Sequence, residues 1–133
     1  MEITMEVSLT VSLSFEAAHH LGGHEGKCSR LHGHSYRLEV TVRGPVRPDG
    51  MVIDFSRLEE LVRRTVIVRV DHRYLNEIFP FTPTCENLAV RFWQDLEQAL
   101  EAYPDVVLEE VVLWETPDAR AKVSRKSFED HEG

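Results

Sequence analysis

Positive charge, cysteine and long apolar runs are all scarce in this sequence. Its 133 residues hold 15 Lys and Arg against 23 Asp and Glu, a formal charge of −8. That balance excludes a general nucleic-acid binder, because phosphate backbones select net-basic surfaces. No apolar run approaches the ~18 residues of a membrane span, and Glu2 and Glu6 interrupt the N-terminus. Neither a span nor a secretory signal is expected. Two cysteines, Cys28 and Cys85, are too few for a disulfide scaffold and suit a reducing, cytoplasmic location. What is present includes 42% apolar residues, enough for one compact core. A single domain is expected over residues 1–124, followed by a polar tail at 125–133.

One residue type is concentrated. Five of the seven histidines (His19, His20, His24, His32 and His34) fall within sixteen residues. The same region is locally basic. From His19 to Arg47 the residues Lys27, Arg30, Arg37, Arg43 and Arg47 outnumber Glu25 and Glu39, giving +3 and leaving −11 for the rest. Such an island can receive a small anion, or it can be an ordinary solvated strand face.

Hydrophobic periodicity supplies the elements. Val7, Leu9, Val11, Leu13 and Phe15 alternate with polar residues, the pattern of a half-buried strand. Carried through Ala17, that parity places His19 on the buried face. A loop is expected over 20–30. A second strand from about Leu31 to Arg43 has Tyr36, Leu38, Val40 and Val42 inward, and the same parity turns His34 and His32 inward. Gly44–Gly50 reads as a turn. Leu58, Leu61, Val62, Thr65 and Val66 then follow helical spacing, with Asp54 or Ser56 as cap and a β-branched stretch that weakens the helix towards Val70. Residues 71–83 read as irregular. Thr84 is the expected cap of a helix over about 85–102, with Leu88, Phe92, Trp93, Leu96 and Leu100 as its apolar stripe. Strands follow at Val106–Thr116 and Ala119–Ser124. The order β-β-α-α-β-β predicts an α+β domain built on antiparallel sheet.

His32-Gly33-His34 on a strand puts two imidazoles on one face, about 7 Å apart along the backbone, and His19 can add a third nitrogen. Three histidines with a fourth position open form the pattern of catalytic zinc, whereas structural zinc sites are usually closed by cysteine. Hydrogen-bonded core histidines are the alternative. Cys28, near Lys27 and Arg30, is a thiol whose ionisation cationic neighbours favour, or a fourth metal ligand. Cys85 reads as a small half-buried residue at a helix start. In Asp71-His72 a carboxylate can fix the tautomer of an imidazole proton carrier, although adjacent residues do not pair automatically. Glu115 shares the odd parity of Val107, Val111 and Leu113, which predicts an inward carboxylate in need of donors. The amidine edge of a heterocycle or an arginine would serve.

Six segments then occur in order: FEAAH (15–19), CSRLHGH (28–34), DGMVIDF (49–55), VDHRYLN (70–76), PTCENLA (83–89) and WET (114–116). Together they resemble the 6-pyruvoyl-tetrahydropterin synthase / 6-carboxy-tetrahydropterin synthase family over about residues 7–124. The resemblance implies the T-fold, an antiparallel sheet with two helices on one face, in trimers or hexamers with active sites at subunit interfaces. It implies zinc held by His19, His32 and His34, with Cys28, Asp71 and His72 as catalytic residues. Glu115 anchors a pterin ring, and Thr84 lines its pocket. The implied substrate is 7,8-dihydroneopterin triphosphate, with the basic island as a counter-charge for its phosphates. The short C-x-x-x-H-G-H spacing and the Asp-Phe after GMVI are similar to the carboxy branch. Its product is 6-carboxy-5,6,7,8-tetrahydropterin, on the route to queuosine and other 7-deazapurines. The alternatives are the pyruvoyl branch and a non-catalytic zinc scaffold closed by Cys28. Departures from the family pattern are Cys85 where Ser or Thr is common, VDH for LDH, and ARAKVS after Glu115 in place of an aromatic-Gly ending.

Overall fold

The computed structural model describes residues 5–22 and 32–126. Strands β1 (Glu6–His19) and β2 (His32–Pro45) form a long antiparallel ribbon in unbroken register, from Glu6 opposite Pro45 to His19 opposite His32. Helix α1 (Phe55–Val62) opens on Asp54, whose side chain accepts from the Ser56 N–H at 2.7 Å. The chain stays helical through a π turn at Arg63–Ile67 and a short α2 (Val68–Val70). β-Branched residues weaken helices in isolation, but here Val66, Ile67 and Val70 are buried, and packing outweighs propensity.

Residues 71–83 are more ordered than their composition suggests. They hold a two-residue strand β3 (Arg73–Tyr74) and a short helix α3 (Leu75–Ile78). Helix α4 (Cys85–Ala99) is capped by Thr84, whose hydroxyl accepts from the Asn87 N–H at 3.1 Å, and a 3₁₀ turn continues it to Ala102. Strands β4 (Val107–Thr116) and β5 (Ala119–Ser124) complete the sheet.

The five strands lie in the order β3-β1-β2-β4-β5. Every pairing is antiparallel except β3 with β1, where Ala17 and Ala18 face Arg73 and Tyr74 in parallel. The sheet is therefore mixed rather than purely antiparallel, because the 71–76 segment runs back along the free edge of β1. One sheet face is buried with the helices. Val11, Leu13 and Phe15 of β1, Leu38, Val40 and Val42 of β2, and Val111 and Leu113 of β4 join Leu58, Val62, Leu88, Phe92 and Leu96 in one core. The other face is polar and carries Ser12, Ser14 and Glu16, as strand alternation requires. On it Arg37 and Arg120 sandwich the Trp114 ring, each 5.1 Å from its centre, and the Trp114 N–H donates to Glu39 at 2.7 Å.

Two register shifts interrupt the β4 side, one opposite Thr41/Val42 and one between Trp114 and Thr116. The first corrects an expectation. Val107 pairs with Arg43 and leaves the inward set, and Leu108, opposite Val42, is buried instead. Among the described residues, no helix is long and apolar enough to cross a membrane.

Candidate metal and ligand site

The buried stripe of the ribbon does not end in apolar residues. Past Phe15 and Tyr36 the same face continues as His19, His32 and His34, whose ring centres lie 4.5, 4.8 and 5.1 Å apart. One potential ligand nitrogen from each ring lies within 4.8 Å of the others. Antiparallel pairing brings His19 opposite His32, and the period of two brings His34 onto the same face.

His19 is fully buried. Its Nδ1 lies 2.8 Å from the Pro83 carbonyl, which must accept, so Nδ1 carries the proton and the Nε2 lone pair faces the cluster. That Nε2 is 2.9 Å from His32 Nε2. His34 Nε2 is buried without a hydrogen-bond partner and 3.8 Å from Glu115 Oε1. Burial holds the His34 ring below the usual imidazole range, Glu115 opposes that, and His19 and His32 reinforce it. Three imidazoles with converging ring nitrogens, one oriented by a backbone carbonyl and one with an orphaned buried nitrogen, fit a cation. The triad can hold a metal ion.

Glu115 reaches this cluster by alternation, two residues beyond the inward Leu113, and it is the residue left without a β5 partner at the β4–β5 register shift, with Trp114 opposite Arg120 and Thr116 opposite Ala119. Glu115, Thr84, Cys85 and Arg120 line a depression of about 560 Å³ beside the histidines. Cys85 is half-buried at the base of α4, and its thiol donates to the Leu113 carbonyl at 3.3 Å. Burial first, then Glu115, pushes that thiol up to about 11. It is packed and half-buried, as the sequence predicts, and burial keeps it protonated.

Asp71 and His72 do pair, with Oδ1 3.1 Å from Nδ1. The Glu16 N–H donates to the same carboxylate at 3.0 Å and, as the larger effect, holds Asp71 below the usual carboxylate range, with His72 adding to it. His72 has φ +60, a left-handed backbone uncommon for a residue with a side chain. Its N–H donates to the Glu16 carbonyl at 2.5 Å. The His72 ring is exposed and shares a depression of about 450 Å³ with His34, Ser35 and Arg73. Cys28, Lys27, Arg30 and His24 lie outside the described residues.

Among the described residues, the arginines of the basic island do not gather at the histidines. Arg37 projects from the opposite sheet face. Arg43 pairs with Glu6 at 2.6 Å and with Glu109 at 3.3 Å, and Arg47 with Asp49 at 3.7 Å, all at the other end of the ribbon. Charge summed along a segment ignores both strand alternation and the length of a 14-residue strand. Two contacts at the site went unread in the sequence. The Tyr36 hydroxyl lies 3.4 Å from His19 Nδ1, and the signal was present, since Tyr36 continues the parity of His34. The Pro83 carbonyl is a backbone group and carries no residue-type signal.

Comparison with known proteins follows the same residues. The family model described as 6-pyruvoyl tetrahydropterin synthase matches residues 8–126. A protein of Haemophilus influenzae named 6-carboxy-5,6,7,8-tetrahydropterin synthase is 32% identical over 134 aligned positions, spanning 82% of this chain and 92% of that one. A Pyrococcus furiosus protein named dihydroneopterin monophosphate aldolase is 37% identical over 111 positions, spanning 84% and 91%. The structure of the Caenorhabditis elegans 6-pyruvoyl tetrahydropterin synthase superposes with a TM-score of 0.81 at 31% identity, over 93% of this chain and 99% of that one.

Proposed function

The chain belongs to the 6-pyruvoyl tetrahydropterin synthase family, and from that premise we propose that it is a zinc-dependent 6-carboxy-5,6,7,8-tetrahydropterin synthase. In this reading it is a lyase that converts 7,8-dihydroneopterin triphosphate and water to 6-carboxytetrahydropterin, acetaldehyde and triphosphate, towards queuosine or another 7-deazapurine. The observation that carries the reading is the convergence of three imidazole nitrogens within 4.8 Å of one another, with the Glu115 carboxylate 3.8 Å from one of them. The short spacing from Cys28 to His32 and the carboxy-type names among its relatives support this branch.

His19, His32 and His34 would hold the zinc. Bound there, it supplies Lewis-acid polarisation of a substrate side-chain oxygen. The Pro83 carbonyl keeps His19 in the tautomer a ligand needs. Glu115 accepts two N–H groups from the amidine edge of the pterin, an arrangement that supplies donors to its half-buried carboxylate. Asp71 holds the His72 Nδ1 proton, so that Nε2 can carry protons to and from substrate oxygens. Cys28 as thiolate takes the carbon-bound proton. Active sites shared between copies in a trimer or hexamer would bring Asp71-His72 of one chain to Cys28 of another.

The pyruvoyl branch uses the same substrate. The similarity to the Pyrococcus protein supports a further reading, carbon–carbon cleavage of the monophosphate. Incubating zinc-loaded protein with the tri- and monophosphates and identifying products by mass separates them. The expected products are 6-carboxytetrahydropterin and acetaldehyde from the triphosphate. A pyruvoyl product or turnover of the monophosphate alone would replace the assignment, and no turnover of either would remove it. Cys28→Ala tests the scaffold reading, with lost turnover and retained zinc expected, and loss of zinc as the contrary result.

A further inference from the structure

Between Asp71 and Asn76 the chain is laced to the end of β1 by more than its two-residue strand. At one end the Asp71 carboxylate and the His72 N–H hold the two backbone groups of Glu16. In the middle Arg73 and Tyr74 pair with Ala17 and Ala18. At the other end, where regular pairing has stopped and α3 has begun, the Asn76 side chain replaces the missing strand. Its Oδ1 accepts from the His20 N–H at 2.8 Å, and its Nδ2 donates to the His20 carbonyl, also at 2.8 Å. Only one orientation of the amide satisfies both groups, and no other side chain supplies one donor and one acceptor in that plane except the longer Gln.

His20 directly follows His19, the last residue of β1. The Pro83 carbonyl holds the His19 imidazole, and among the described residues the β1–β2 ladder ends at the His19–His32 pair. We propose that Asn76 is a positioning residue for the metal-ligand set, its carboxamide locking the His20 backbone and thereby the approach of His19 to His32 and His34. The proposal rests on reading the three histidines as a metal site, and not on which reaction follows. It gives Asn76 a role distinct from that of Asp71, whose carboxylate secures the Glu16 end of the same segment. A loose His20 lets the last residue of β1 rotate, and a ligand misplaced by a fraction of an ångström costs affinity.

The test is metal affinity measured by chelator competition for Zn²⁺, with the visible absorption spectrum of the Co²⁺-loaded protein as a geometric readout. Asn76→Ala is expected to weaken Zn²⁺ binding by roughly tenfold or more, at the lower end of losses seen for outer-shell partners, and to alter the Co²⁺ bands. Asn76→Asp keeps the acceptor for the His20 N–H and loses the donor, so it should fall between wild type and Asn76→Ala. Arg125→Ala breaks a comparable clamp, from Arg125 Nε to the Leu108 carbonyl at 2.8 Å at the far side of β4, and controls for general loosening. Unchanged affinity and spectrum in Asn76→Ala, or an equal loss in Arg125→Ala, would overturn the proposal. A wild-type protein that binds metal tightly without turning over any pterin leaves it standing while removing the lyase reading.

Discussion

The two halves of the sheet deliver their functional residues by different means. On the β1–β2 side fourteen residues pair without a slip, and three histidines arrive where period-two alternation sends them. On the β4–β5 side the register shifts twice, and Glu115 faces inward on a parity that holds only between the shifts, from Val111 through Leu113. A regular ladder propagates one decision about facing along its whole length, so the site there is the core stripe continued in imidazole. An interrupted ladder restarts that decision after each shift, so the facing of Glu115 follows from Val111 and Leu113 and not from the start of β4.

The sharpest way to break the regular half is to remove a ligand. His34→Ala is expected to strip the bound metal, read by elemental analysis after gel filtration. Turnover should drop roughly 10³-fold or more, in line with the several kcal/mol a catalytic metal contributes. The interrupted half should fail differently. Glu115→Gln is expected to lower kcat/KM roughly 10- to 100-fold, the 1.5–3 kcal/mol of a charged hydrogen bond, with metal content unchanged. Loss of metal in that variant would erase the division of labour between the halves.

A third test sharpens the contrast through Cys85, which senses Glu115. In a Cys28→Ala background the alkylation rate should rise with pH around about 11 rather than around the ordinary 9.0, and Glu115→Gln should move that profile downward. Because the folded thiol titrates higher than the unfolded one, its contribution to stability is full below pH 9 and is lost as pH rises through about 11. Unfolding curves across that range check the sign. The smallest effect belongs to the open face of the regular half. Thr10 and Thr41 share a hydrogen bond of 2.7 Å across the ribbon, and Thr10→Val should change stability by no more than about 0.5 kcal/mol.

Legibility followed the same division. Alternation from Val7 to Phe15 and from Tyr36 to Val42 was enough to turn His19, His32 and His34 to one side. The stripe Leu88–Leu100 and the cap Thr84 were read directly, and Asp54 as one of two candidate caps beside Ser56, because periodicity and capping are local physics. Glu115 was placed inward by a parity count that included Val107, which the first register shift turns outward. The count survived only because Val111 and Leu113 lie beyond that shift. Strand β3 was unreadable, since Arg73-Tyr74 has no pattern of its own and pairs only because β1 offers it an edge. The summed charge of the basic island did not say where its members point, since the described Arg37, Arg43 and Arg47 are distributed by face and by strand length.

The sequence by itself determined which residues face the core, where the two long helices begin, and that three histidines share a surface with apolar neighbours. Those properties depend on contacts a few residues apart. Only the tertiary structure decided that the Pro83 carbonyl orients His19, that Glu115 comes within 3.8 Å of His34, and that Asn76 closes the end of β1. Each of these joins residues more than forty positions apart or turns on a backbone group, and neither separation nor main-chain direction is written in residue type.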